Sequence, residues 1–240
     1  MAVTFVAAGS ATQSGTAASI SITAPTCLAD DILIACVATK TLLGATNVIS
    51  PPDSSWTQIF QGNNDCTDDD TDSHQYAIFW RRATGSAGSF SFTKATDDNN
   101  TFTGIISAWR GAELFPTPLD ATAAAASEEA ANRNNVPFPA FDPTDTDSHI
   151  IYCAFYGEDS TAFAAAMSSD TNPDCTTRYD VEVNGDTGES DITFACTSGN
   201  TTNGAAIAAR TWNSTPVSQA GSTGVVFALK VRDRRIFVST

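Results

Sequence analysis

Both histidines of this chain sit in the same tetrapeptide, Thr-Asp-Ser-His, at 71–74 and again at 146–149. In extended backbone, residues two apart project from one face, so Asp72 with His74, and Asp147 with His149, would each set a carboxylate beside an imidazole. Such a pair suits a shared metal ion. The first tetrapeptide closes an acid-rich loop, Asn63-Asn64-Asp65-Cys66-Thr67-Asp68-Asp69-Asp70-Thr71-Asp72, whose oxygens are of the kind a hard cation such as calcium takes. Asp68, Asp70, Asp72 and His74 are therefore the metal candidates. The loop lacks the glycine and terminal glutamate of an EF-hand. The plainer expectation is that acidic turns start two strands and that no cofactor is held, with calcium the one alternative.

Other reactive types are less informative. There is no Gly-x-Ser-x-Gly elbow to expose a nucleophilic serine, although either histidine could meet a Ser and an Asp in space, as a hydrolase would require. The 27 acids cluster in turns and nominate no glycosidase pair. Six cysteines, at 27, 36, 66, 153, 175 and 196, contain no Cys-x-x-Cys, which argues against zinc. Cys36 and Cys153 fall inside apolar strand patterns, where a thiol acts as a small core residue. Cys27, Cys66 and Cys175 lie in loop-like sequence and could pair in an oxidising medium, but free thiols are expected because no export signal precedes the chain. Of the four tryptophans, Trp80 and Trp109 read as core, Trp56 as the opening of a strand after the turn Pro51-Pro52-Asp53-Ser54-Ser55, and Trp212 as the exposed ring.

The elements that must position these residues are strands. Short runs of Ile, Val, Phe, Tyr, Trp and Thr alternate with Gly, Asn, Asp, Ser and Pro clusters, predicting strands over 3–8, 18–24, 31–39, 56–61, 75–82, 89–94, 102–110, 148–156, 177–183, 191–197, 205–212 and 223–231. The pattern also repeats. Asp31-Ile32-Leu33-Ile34-Ala35-Cys36-Val37 is echoed by Ser148-His149-Ile150-Ile151-Tyr152-Cys153-Ala154, an offset of 153 − 36 = 117. Thr103-Gly104-Ile105-Ile106-Ser107-Ala108-Trp109 is echoed by Thr223-Gly224-Val225-Val226-Phe227-Ala228-Leu229, an offset of 224 − 104 = 120. Two matches at nearly one spacing predict two related β halves, 1–112 and 148–240, packed as an all-β antiparallel sandwich or jelly roll, either as two units or as one composite domain. Between them runs a Pro- and Ala-rich connector, 113–147. Its stretch 123–132 has helix-forming composition, while Ala162 to Met167 is open between a helical turn and a loop.

The net charge of −15 sets 12 Lys and Arg against 27 Asp and Glu. Its field repels phosphate backbones and anionic lipid, so neither nucleic acid nor membrane is an expected partner. Against that background the densest positive charge is Lys230, Arg232, Arg234 and Arg235, followed by the apolar Ile236-Phe237-Val238. The first residues, with Val3 and Phe5, are likewise short and β-prone. Such segments either complete the sandwich or add to the sheet edge of a partner. Val3, Phe5, Lys230, Arg232, Arg234, Arg235 and Phe237 are the partner-binding candidates.

Several stretches together carry a resemblance: Asp30-Asp31-Ile32-Leu33-Ile34-Ala35-Cys36, Pro51-Pro52-Asp53-Ser54-Ser55-Trp56-Thr57, Tyr76-Ala77-Ile78-Phe79-Trp80-Arg81-Arg82 and Ile105-Ile106-Ser107-Ala108-Trp109-Arg110-Gly111. This succession, over residues 20–112 with a fainter echo through 232, resembles the β-sandwich virion proteins of tailed bacteriophages. The resemblance implies a non-enzymatic structural protein at the virion surface, made in the host cytoplasm. Its implied role is a capsid decoration or cement protein that binds the major capsid protein or other virion proteins and bridges neighbouring capsomers. The expected oligomer is a homotrimer. The alternatives are a tail or host-adhesion protein and a carbohydrate-binding module, which would need an exposed aromatic pair beside Asp and Asn.

Overall fold

The computed structural model describes residues 2–14, 17–41, 47–66, 73–85, 88–95, 101–128, 135–157, 162–163, 167, 173–183, 192–201, 205–215 and 221–232. Among these, seventeen strands and no helix are present. The first half holds β1 (Thr4–Ala8), β2 (Thr12–Ser14), β3 (Ser19–Thr23), β4 (Ala29–Lys40), β5 (Ile49–Ser50), β6 (Thr57–Asn64), β7 (His74–Thr84), β8 (Ser89–Lys94) and β9 (Phe102–Arg110). The second holds β10 (Ala124–Glu128), β11 (Asn135–Phe138), β12 (His149–Tyr156), β13 (Ala162–Phe163), β14 (Thr176–Val183), β15 (Ile192–Asn200), β16 (Arg210–Thr215) and β17 (Ser222–Leu229).

The duplication predicted from the sequence recurs in the topology. The large sheet of the first half runs β1-β9-β4-β7-β6, with β2 added to β9, and that of the second runs β10-β17-β12-β15-β14. The small sheets run β3-β8-β5 and β11-β16-β13. Position by position these are the same orders. The register agrees as well: Cys36 opposes Ile105 and Val37 opposes Gly104, just as Cys153 opposes Val225 and Ala154 opposes Gly224.

Each half is a two-layer antiparallel sandwich, and the two sandwiches meet through their large sheets. On β4, Ile34, Cys36 and Ala38 face the central core between the halves, where Ile151, Cys153 and Phe155 come from β12. Leu33, Ala35 and Val37 face the other way, onto Ile20, Ile22 and Phe92 of the small sheet. In the second half Ile150, Tyr152 and Ala154 likewise face Val136, Phe138 and Trp212. Both large sheets are thus buried on both faces, which is why their central strands read as unbroken apolar runs instead of alternating ones.

The contact between halves is reciprocal. β1 touches β14 and its counterpart β10 touches β6, while β4 touches β15. The paired residues Cys36 and Cys153 meet at the middle, Sγ to Sγ 3.6 Å. A surface that meets its own equivalent in this way is what a two-fold axis produces, here within one chain. Polar groups lock the rim: the buried Asn64 amide of β6 donates to the carbonyl of Ser222 at 2.9 Å and that of Glu128 at 3.2 Å.

The segment 113–147 departs from the expected connector, since β10 and β11 within it are the counterparts of β1 and β3. The alanine run has helix propensity, yet Ala124 to Ala126 pair as an edge strand with Val226 to Gly224. Its backbone finds partners in an existing sheet, which outweighs an intrinsic preference of a few tenths of a kcal/mol per residue. Of the 162–167 stretch, Ala162–Phe163 is strand.

Candidate functional site

The two histidines do not occupy equivalent places. His74 starts β7, whose counterpart is β15, and His149 starts β12, whose counterpart is β4. The repeated tetrapeptide is therefore unconnected with the duplication. Asp147 is exposed while His149 is 1% exposed, so the second carboxylate–imidazole pair is not formed on one face. Asp68, Asp70 and Asp72 lie outside the described residues, and His74 is fully buried. Among the described residues no group of three or more His, Cys, Asp or Glu is arranged to hold a metal ion.

His149 is instead a buried wedge between the halves. Its ring packs on Trp109 of the first half at 5.3 Å, and its Nδ1 donates to Asn200 Oδ1 at 2.7 Å. Nε2 is buried without a hydrogen-bond partner. Burial pulls its pKa down to about 4, with Asn200 opposing and Arg178 adding to the fall, because a charged ring here would have one donor facing apolar surroundings.

Two buried carboxylates organise the starts of the paired central strands. Asp31, at the head of β4, takes a bidentate ion pair from Arg110 at 2.8 Å on both arms and accepts the Leu28 amide at 2.8 Å. Asp30 beside it adopts a left-handed conformation, φ 69°, at a bulge between Ala29 and Ile32. In the second half the position of Asp31 is taken by Ser148, whose hydroxyl donates to Asp120 at 2.5 Å. Asp120 also accepts the Thr144 amide at 3.0 Å, the Asp145 amide and the Thr144 hydroxyl. Burial works to raise the Asp120 pKa, but the donors of Ser148, Thr144 and Asp145 together hold it below the usual carboxylate range. Both carboxylates are consumed by structural bonds. An open groove of about 650 Å³, lined by Ile59, Leu119, Asp120 and Ala123, runs past the second of them.

The tryptophans depart from expectation in two places. Trp212, expected to be exposed, is fully buried in the core of the second sandwich, and Trp80, expected in the core, is only partly buried. Trp56 is 4% exposed, with the Arg81 guanidinium over its ring at 5.6 Å and the edges of Phe90 and Phe92 against it. All six cysteines are buried, and none forms a disulfide.

What the structure does bring together are partner-binding candidates from opposite ends of the sequence. Val231 bridges Ala112, and the Arg232 amide donates to the Gly111 carbonyl at 2.9 Å. Gly111 has φ +88°, and a Cβ there would stand 2.6 Å from the carbonyl oxygen of Ala2. Residues 2–5, 110–115 and 230–232 thus form one patch. Val3 proves fully buried and belongs to the central core, which removes it from the contact candidates. Phe5 is half-buried, edge-on to Trp109 at 5.2 Å. Lys230 is partly exposed and Arg232 exposed, whereas Arg234, Arg235 and Phe237 lie outside the described residues.

Sequence reasoning missed Phe115, Arg82 and Arg110 in this patch. Phe115 is 72% exposed, with the Arg82 guanidinium stacked 4.4 Å above its ring and bonded to the Leu114 carbonyl. Only Pro116 and Pro118 hinted that residue 115 stands on a turn. The patch holds Arg82, Arg110, Lys230 and Arg232 against Asp31, which is committed to Arg110, and Glu113, which accepts the Leu114 amide. It is a cationic, apolar-tipped surface on an otherwise acidic protein. No family model, curated protein or solved structure matches this chain.

Proposed function

We propose that the protein is a non-enzymatic structural component of a virion, a decoration or cement protein that binds the outer surface of a phage head and bridges neighbouring capsomers. The observation that carries this reading is the patch around Gly111: Phe115, Arg82, Lys230 and Arg232 gathered on a protein whose net charge is −15. An aromatic ring under a guanidinium, rimmed by cations, suits an acidic protein surface, since aromatic and arginine side chains dominate interface energetics and charge complementarity sets the on-rate. The rest of the molecule supports a scaffold role, because both histidines and all six thiols are withdrawn into its cores. A stable contact of standard size buries roughly 1,600 Å² in total, and the bound form is expected to be a trimer beside the major capsid protein.

The test is the copy number of this protein, relative to the major capsid protein, in density-gradient-purified particles. Hundreds of copies per particle are expected. A handful would move the protein to the tail, and its absence from particles would overturn the reading.

A further inference from the structure

From the geometry at the pseudo-two-fold axis we infer that Cys36 and Cys153 are a peroxide-reactive thiol pair whose oxidation locks the two halves together by a disulfide. These are the equivalent residues of the duplicated strands, and face-to-face packing brings their sulfurs to 3.6 Å. Closing to a bonded distance of about 2.05 Å is shared between two side chains. Cys196 on β15 adjoins Cys153, and the Tyr179 hydroxyl adjoins Cys36.

The two thiols are not chemically alike. Cys36 Sγ lies 3.6 Å from Cys153 Sγ and accepts a hydrogen bond from the Tyr179 hydroxyl at 3.4 Å; the contact with Cys153 is the largest influence on its pKa and lowers it against the effect of burial. Cys153 is pushed well above the usual thiol range by its contacts with Cys196 and Cys36 and by burial. Cys36 is thus the more acidic of the pair and the one that ionises first to the nucleophilic thiolate. Its sulfur attacks hydrogen peroxide, forming an S–O bond as the O–O bond breaks and hydroxide leaves, to be protonated to water. The Cys153 sulfur then attacks the resulting sulfenic acid, forming the S–S bond and releasing a second water with its own proton. Two thiols lose two electrons, and one peroxide becomes two waters. Peroxide is near water in size, which suits a pair 1% and 2% exposed. The bond would close a loop of 153 − 36 = 117 residues, and this inference stands independently of any virion role.

The test treats the folded protein with hydrogen peroxide, alkylates remaining thiols in denaturant and maps peptides without reduction. The expected result is loss of two of the six thiols, a cross-linked peptide pair joining Cys36 to Cys153, and a higher Tm than the untreated protein. Tyr179→Phe should slow the reaction several-fold, and Cys153→Ser should leave a sulfenic acid on Cys36 that dimedone traps. A link between Cys153 and Cys196, a Cys36 that proceeds to sulfinic acid without any link, or six intact thiols at peroxide exposures that oxidise the protein in urea would each overturn it.

Discussion

The two halves share strand order and register but fasten the head of the central strand differently. In the first, Asp31 at the start of β4 reaches across to Arg110, whose side chain is 44% exposed. In the second, the equivalent Ser148 binds Asp120, a carboxylate that also gathers the backbone amides of Thr144 and Asp145 in the turn before β12. One half uses a solvent-rimmed ion pair and the other a buried hydrogen-bonded knot. One residue further along, Ile32 of the first half corresponds to His149 of the second, so at this position only the second carries an imidazole into the interface. After duplication, topology is held by pairing and packing, which many side chains satisfy, whereas polar fastenings drift because each needs only local satisfaction.

The strongest way to break the comparison is through its paired glycines. A Cβ at Gly224 would lie 2.2 Å from the Pro137 carbonyl oxygen, whereas one at Gly104 would first meet the Ile22 Cδ1 atom at 2.5 Å. Backbone cannot retreat as a side-chain tip can, so Gly224→Ala should cost about 3 kcal/mol and Gly104→Ala about 1 kcal/mol, read by urea denaturation. Equal costs would show that the halves tolerate overpacking alike.

His149 supplies the next largest effect. Its pKa is 6.5 before folding and about 4 after, so the unfolded chain binds the extra proton between those values. Stability is fully present above pH 6.5 and falls as pH drops towards 4, by up to about 3 kcal/mol. His149→Ile, which copies the first half, should flatten Tm between pH 6.5 and 4.5. A variant that keeps the full slope would place the acid sensitivity elsewhere.

The fastenings separate by smaller amounts. Asp120→Ala strands several donors and should cost about 2 kcal/mol at pH 7. The depressed Asp120 pKa means that its contribution is lost only as pH falls through that lowered value, below the His149 window. Asp31→Ala leaves Arg110 free to reach water and should cost about 1 kcal/mol, with the difference from wild type shrinking in high salt. Thermal melts of both variants, with and without salt, distinguish the two designs, and a salt-insensitive Asp31 would make its ion pair the more buried of the two.

How much of this could be read in advance depended on burial. The apolar runs 31–37 and 148–154 announced β4 and β12 because both of their faces are covered, and Gly104 and Gly224 marked the same close approach in each half. Residues 124–128 were opaque: an alanine edge strand carries no period-two signal, and its conformation is dictated by β17. Pro137 obscured β11, though on an edge strand a proline forfeits no ladder bond. Trp212 enters a core and Trp80 is only partly buried because flanking polar residues say nothing about which layer a ring enters. The patch around Gly111 was half visible, as a run of cations, but its location depended on Val231 pairing with Ala112, a contact between residues 119 positions apart in sequence by 231 − 112 = 119.

The reciprocal contact of β1 with β14 and of β10 with β6 also keeps apolar surface covered. A single half would expose its whole large-sheet face, including Ile34, Cys36 and Ala38, and an apolar face of that extent invites association. Self-complementarity about a two-fold axis answers that need with a second identical molecule. Within one chain the second half takes the place of that second molecule, and because the two halves are free to differ in sequence, one can carry His149 where the other carries Ile32.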